Sequence, residues 1–216
     1  MATNANPVIA RQGWPFIILI LLAAVAARIY VGWTAAAILL FAAALTAFLF
    51  RDPRRVIPPA PLAVLSPASG EITAIETVAD PWLERQALKC VIHMSVWDVH
   101  SLRSPVEGKV MDQWASRPEE PGIRRRYTYW IKTDEGDDVI LSFAMGLSGC
   151  LLRLTLHSGE RIGQGHPCGH LFFAGQVELY LPEATRLEVK PGLHVDSGTA
   201  IIGKFVHKWG NGDVST

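Results

Sequence analysis

Along the 216 residues the pattern of hydrophobic and polar positions changes character once, near residue 50. Before that point apolar residues run almost unbroken: WPFIILILLAAVAA, then Arg28, then IYVGWTAAAILLFAAALTAFLF. The second run, Ile29 to Phe50, carries no charge. At roughly 1.5 Å per residue it reaches about 30 Å, the thickness of a bilayer core, which predicts a transmembrane helix. The first run, of about 14 residues, alone suits a re-entrant segment, an incomplete span or a signal-peptide core. Arg11 before it, and Arg51, Arg54 and Arg55 after the second run, place both ends on the cytoplasmic side by the positive-inside rule. Together these predict a membrane hairpin of two apolar helices with Arg28 to Trp33 at its outer turn.

Beyond the hairpin, Pro53, Pro58, Pro59 and Pro61 make a stiff, extended linker. From Leu62 onward short apolar or alternating segments are separated by Gly, Pro and Asp turns, as in EITAIETV, LKCVIHMSV, DVILSFAMG and QVELYLP. Val177, Leu179 and Leu181 alternate with Glu178 and Tyr180, the period of a half-buried strand, and no amphipathic helix interrupts the series. The expected fold is mainly β, a sandwich or barrel-like domain on the cytoplasmic face of the membrane. Two stretches resemble each other, Gly159-Glu-Arg-Ile162-Gly-Gln-Gly165 and Gly192-Leu-His-Val195-Asp-Ser-Gly198. They predict a pair of tight glycine turns in two internally similar units, a pattern also found in carrier-like and membrane-fusion-adaptor domains. The predicted organisation is a tail over 1–12, a membrane-embedded hairpin over 13–50, a Pro/Arg linker over 51–61, a β domain over 62–209 and a tail over 210–216.

Composition narrows the function. Half of the residues are hydrophobic and 19% are charged, with the apolar excess confined to the first quarter of the chain. A net charge of zero removes bulk electrostatics as an argument for nucleic acid, no long basic tract compensates, and no nucleic-acid partner is expected. Cys90, Cys150 and Cys168 are odd in number and lack C-x-x-C spacing, so neither a disulfide framework nor a zinc site is expected, and no metal is assigned. His93 and His100 lie seven apart around Asp98, which on a strand puts them on opposite faces. His100 is the better candidate for chemistry, because it follows a long apolar strand and precedes a turn, where a rigid sheet can hand a side chain to a pocket. Arg124, Arg125 and Arg126 with Tyr127, Tyr129 and Trp130 form a basic and aromatic patch. It is either a solvated strand end or, on a protein held at a membrane, a contact for anionic headgroups. No G-x-S-x-G motif marks an activated serine.

Several stretches in order resemble the short, membrane-attached phosphatidylserine decarboxylases: FLFRDPRRVIP, SPASGEI, VHSLRSPVEGKV, GERIGQG, FFAGQVELYLP and VKPGLHVDSGTAIIGKF. They cover almost the whole chain, apolar N-terminal segments included. The resemblance implies a lyase of phospholipid metabolism that makes phosphatidylethanolamine at the bacterial inner membrane, with no external cofactor. Members of that family cut themselves between Gly and Ser and convert the serine into a pyruvoyl group. The ketone then forms a Schiff base with the amine of phosphatidylserine and serves as electron sink.

The resemblance carries over unevenly, residue by residue. His100 and Arg103 match the family's H-x-x-R-x-P block, giving His100 a catalytic role and Arg103 a place among the candidate lipid-binding residues with Arg124, Arg125 and Arg126. Ala174 and Gly175 stand where the family has Gly and Ser, and Gly175 has neither the Oγ that attacks nor the Cβ that becomes the ketone. Ser69 stands where the family's SPADG supplies an aspartate that orients the histidine, and a neutral hydroxyl cannot stabilise an imidazolium as a carboxylate does. PGIRRRYTYW replaces the family's Asn-Glu-Arg motif. Gly149-Cys150 and Gly198-Thr199 offer other nucleophiles after glycine, outside the cleavage block. The first reading is a non-processing homologue that binds lipid, with phosphatidylserine one candidate, or that partners an active decarboxylase or a second copy of itself. The alternatives are an active decarboxylase with a different prosthetic group or cleavage site, and a non-enzymatic carrier-like β domain.

Overall fold

The computed structural model describes residues 13–51, 55–58, 60–117, 123–146, 151–172 and 175–206. Both predicted tails, Cys150 and Ala174 lie outside these residues. Two helices open the chain, α1 (Trp14–Tyr30) and α2 (Trp33–Leu49), joined through Val31 and Gly32. Gly32 adopts φ 122°, a conformation that only glycine enters cheaply, and its amide and that of Val31 both return to the Ala27 carbonyl at 2.9 Å. Arg28 lays its guanidinium 3.9 Å from the centroid of the Trp33 ring across this turn. The helices meet through Ile17 and Ala24 of α1 and Ala36 and Ala43 of α2, seven residues apart on each helix, where small side chains let the backbones approach.

The continuous span expected over Ile29 to Phe50 is not observed. Gly32 splits that run, Ile29 and Tyr30 end α1, and each helix has 17 residues. That length covers about 25 Å against a hydrocarbon core of roughly 30 Å. Among the described residues no helix is long and apolar enough to cross a membrane.

The rest of the described chain is β. In order the strands are β1 (Ala63–Leu65), β2 (Gly70–Asp80), β3 (Arg85–Met94), β4 (Ser101–Arg103), β5 (Gly108–Ser116), β6 (Ile123–Lys132), β7 (Asp138–Gly146), β8 (Leu151–Leu154), β9 (Arg161–Ile162), β10 (Pro167–Phe172), β11 (Gly175–Pro182), β12 (Arg186–Leu187), β13 (His194–Val195) and β14 (Ile201–Lys204). An eight-stranded antiparallel sheet runs β13-β2-β3-β11-β7-β6-β5-β9 and curls into a half-barrel. Two three-stranded sheets, β1-β14-β12 and β4-β10-β8, complete the fold. Val64, Leu102, Leu171 and Ile202 of the small sheets meet Ile72, Ile92, Leu141 and Phe143 of the large one in a single core. Burying each such side chain contributes about 1.5–3 kcal/mol.

The strand orders are those of an internal duplication. Read outward from the β11–β7 pair at the centre of the large sheet, β3, β2 and β13 on one side correspond to β6, β5 and β9 on the other. Likewise β1-β14-β12 corresponds to β4-β10-β8, so the segment β4 to β10 is one unit inserted in the middle of the other. The expected glycine turns sit at equivalent places, with φ 89° and 69° at Gly159 and Gly165, and 85° and 74° at Gly192 and Gly198. A second repeat accompanies them, Ser66-Pro-x-x-Gly70 and Ser104-Pro-x-x-Gly108. Each of these serines donates its hydroxyl to the carbonyl two residues on at 2.7 Å, and each receives a turn glycine's amide on its own carbonyl. The two units also exchange bonds, Leu65 N to Pro105 O and Arg103 N to Pro67 O, both at 2.9 Å.

Candidate functional site

His100 lies at the seam between the helices and the β domain. The turn from Ser95 to Asp98, closed by the Ser95 amide on Asp98 Oδ2 at 2.7 Å, delivers the chain to His100 one residue before β4. Only 3% of His100 is exposed. Its Nδ1 lies 2.9 Å from the carbonyl oxygen of Leu49, the last residue of α2. A carbonyl can only accept, so Nδ1 carries the hydrogen and Nε2 the lone pair. Nε2 is buried with no hydrogen-bond partner among the described residues. Burial pushes the imidazole below its ordinary pKa, against the opposing influence of the Leu49 carbonyl and Asp98, so the ring is neutral at pH 7.

Aromatic side chains wall this seam. Phe172, at the end of β10, packs 5.7 Å from the His100 ring, 5.7 Å from the His170 ring and 4.9 Å from Phe50, which follows α2. Phe50 in turn stacks on Phe16 of α1 at 6.0 Å. The backbone repeats the connection, the Leu171 amide donating to the His100 carbonyl at 2.9 Å. The helices are thus tied to the domain at the histidine itself.

Gly175 opens β11 opposite Met94 of β3. A Cβ at this position would stand 2.5 Å from Leu171 Cδ2 and 3.1 Å from its Cγ. Leu171 is fully buried, so its side chain fills the space that a serine Cβ would need. A side chain at this position would require Leu171 to shift, and Gly175 itself carries neither the Cβ nor the oxygen from which the family's pyruvoyl group is made.

Ser69, buried, accepts hydrogen bonds at 3.1 Å from both the Ser197 amide and Arg55 Nη2. Arg55 also donates to the Ser197 carbonyl at 2.7 Å and pairs with Asp196 at 3.0 Å. Ser69 thus fastens the linker to the second glycine turn, while the Leu49 carbonyl takes the Nδ1–H of His100.

The four candidate lipid-binding arginines do not share a surface. Arg103 is buried, donates to the Gly165 carbonyl at 3.0 Å, and lays its stem where a Cβ on Gly198 would stand, 2.4 Å from its Cδ. It clamps the two glycine turns together. Arg126 is buried against Glu178 of β11. Only Arg124 and Arg125 are exposed, Arg125 reaching the Tyr127 hydroxyl at 3.4 Å. The aromatic neighbours also divide. Tyr127 and Tyr129 line an open groove of about 390 Å³ with Leu152, Leu154 and Leu156, whereas Trp130 donates to Asp138 at 2.8 Å. A face contact through Arg103 and Arg126 is excluded by their burial.

Glu178 is the feature that sequence reasoning passed over. It takes hydrogen bonds from Arg126, from the Tyr180 hydroxyl at 2.9 Å and from Gln176 at 2.8 Å, with Lys89 at 3.4 Å. Burial alone would raise this carboxyl, but the Arg126 guanidinium, Lys89 and Tyr180 outweigh it and hold it below the usual carboxylate range. Its signal in the sequence is the alternation itself, which places Glu178 and Tyr180 on the sheet face opposite Val177 and Leu179. His93 is exposed on β3 and is not brought to His100. Among the described residues no group of His, Cys, Asp and Glu could hold a metal ion. Burial pushes the thiols of Cys90 and Cys168 up to about 12.

Known proteins fall in line with these blocks. The family profile of phosphatidylserine decarboxylase matches residues 42–203. A phosphatidylserine decarboxylase proenzyme of Nitrosomonas eutropha is 38% identical over 208 residues, covering 93% of this chain and 96% of its own. Proenzymes of the same description from Nitrosomonas europaea and Aromatoleum aromaticum are 36% and 34% identical, each over 93% of this chain and 96% and 97% of their own length. No solved structure matches the chain. With similarity of this extent running through the helices and both β units alike, the chain belongs to the phosphatidylserine decarboxylase family.

Proposed function

We propose that this chain is a membrane-attached member of its family that does not form a pyruvoyl group and serves phosphatidylethanolamine metabolism by holding phospholipid at the His100 seam. The observation that carries the reading is Gly175. Self-processing needs a hydroxyl that attacks the preceding carbonyl, converts the peptide bond to an ester, and lets β-elimination break the Cβ–O bond. Gly175 has no Cβ and no oxygen, so no bond in that sequence can form or break. Ser69 supports the same reading, since it stands in the place of the family's aspartate with its hydroxyl committed to Arg55 and Ser197, and His100 Nδ1 bonds the Leu49 carbonyl instead of a carboxylate.

What remains at the seam suits binding. A neutral histidine with a bare, buried Nε2, walled by Phe50 and Phe172, can accept one hydrogen bond from an amine or hydroxyl headgroup where water is excluded. The exposed apolar flanks of α1 and α2, among them Leu19, Leu22, Ile38 and Phe41, support attachment to the cytoplasmic face of an inner membrane by insertion without crossing. Arg124 and Arg125 add a sequence-independent attraction to anionic lipid.

The test is lipid retention by the full chain purified in mild detergent and offered phosphatidylserine, phosphatidylethanolamine and phosphatidylcholine. Retention of the two amine-bearing lipids that falls for His100→Phe supports the reading. Equal retention of all three lipids by both proteins sinks headgroup binding, and release of carbon dioxide from phosphatidylserine sinks the loss of activity.

A further inference from the structure

The turn Ser95 to Asp98 is built tightly and yet turns its two largest side chains outward. Trp97 is 62% exposed and Val96 37%. The turn is closed within itself by the Asp98 amide on the Ser95 carbonyl at 3.1 Å and the Ser95 amide on Asp98 Oδ2. It is braced from both sides as well. His194 Nε2 meets Asp98 Oδ1 at 3.0 Å, and Arg51 donates to the Trp97 carbonyl at 3.0 Å. Arg51 stands at the end of α2, its guanidinium 4.0 Å from the centroid of the Phe48 ring. A flexible loop can expose a tryptophan by chance of conformation. A turn held by four polar contacts exposes it as part of its design.

We infer that this turn is a second membrane contact, with Trp97 and Val96 entering the headgroup layer beside the end of α2; the inference rests on the reading that the helices insert into the bilayer. Three observations choose lipid as the occupant. Arg51 ties the end of α2 to the turn, its guanidinium over the Phe48 ring and bonded to the Trp97 carbonyl, so a bilayer that receives the helix end also meets the turn. Tryptophan next to an arginine lying over an aromatic ring is the pairing that suits the headgroup layer, with the rings in the acyl boundary and the cation at the phosphates. The turn also leads within two residues to His100, so its insertion would set the His100 seam at headgroup depth.

Tryptophan quenching by brominated acyl chains tests this on the full chain reconstituted in vesicles of brominated phosphatidylcholine with phosphatidylglycerol. Trp14 and Trp33, 47% and 73% exposed on the helices, report helix insertion, and the difference between the wild type and Trp97→Phe isolates the turn. At the depth of interfacial side chains, Trp97's share of the emission should fall by about two-fold or more relative to unbrominated vesicles. If the total emission is quenched while Trp97's share is not, the turn faces water or a protein and the inference is overturned. If no tryptophan is quenched, helix insertion and the second contact fall together. An unchanged melting midpoint for Trp97→Phe ensures that the comparison is between folded proteins.

Discussion

Gly175→Ser measures how tightly Leu171 packs against the start of β11. Gly175 opens β11, paired with Met94 of β3, with no backbone conformation that a serine would resist, so the cost of the substitution is steric. The new Cβ would meet Leu171 Cδ2 at 2.5 Å, far inside van der Waals contact, and Leu171 has no free surface into which to swing. Overpacking of this kind costs about 1–3 kcal/mol. For a chain of this length each kcal/mol lowers the melting midpoint by roughly 2–4 °C. Leu171→Val removes the clashing carbon and by itself loses a buried methylene, about 1 kcal/mol. Because the two changes share one space, the double variant should be more stable than the sum of the singles by about 1–2 kcal/mol. Urea unfolding of the wild type, both singles and the double measures this directly. A Gly175→Ser protein as stable as the wild type, or costs that simply add, would refute the claim that Leu171 fills the serine's place.

Three further outcomes follow from buried groups. Glu178→Gln removes one charge of the buried pair with Arg126 and should cost about 3–5 kcal/mol in urea unfolding, while Glu178→Leu with Arg126→Met should cost far less; similar losses in both would show that the ion pair is not what the site needs. His100, held below its ordinary pKa by burial, binds fewer protons folded than unfolded, so its share of stability is complete above about pH 6.5 and drains away as the pH falls below it. The unfolding midpoint should therefore drop between pH 7.5 and pH 5.5 by less in His100→Gln than in the wild type. Cys90 and Cys168, with thiols pushed up to about 12, should be silent to a disulfide reagent at pH 8 in a Cys150→Ser background and react only on unfolding.

Much of the fold is written in local chemistry that a single sequence displays. The glycine turns at 159–165 and 192–198 are legible because positive φ demands glycine, and the strands because alternation of Val177, Leu179 and Leu181 with Glu178 and Tyr180 records two faces. The helix hairpin is legible as apolar, but not its break, because Gly32 sits inside an uninterrupted hydrophobic run and only its φ of 122° separates two helices from one. The three consecutive arginines mislead for a different reason. Charge patterning shows that Arg126 is basic, whereas its burial depends on Glu178, which stands 52 residues away and is brought close only by the pairing of β6 and β11 with β7. Arg103 is the same case, since its partners are the backbone of one glycine turn and the space beside another. In FFAGQVELYLP the missing Cβ and Oγ of Gly175 are plain in the sequence, and the structure adds that Leu171 lies where a Cβ would stand. The contact between His100 and the end of α2 could not be read, because a backbone carbonyl leaves no mark in a sequence.

The central claim, that this family member does not process itself, is tested most directly by the intact mass of the full chain purified from the membrane fraction, followed by treatment with an amine and borohydride. The account predicts one species near 23.7 kDa, with no reductive adduct and no carbon dioxide from phosphatidylserine. Two fragments divided between Ala174 and Gly175, or a single chain that decarboxylates phosphatidylserine, would contradict it.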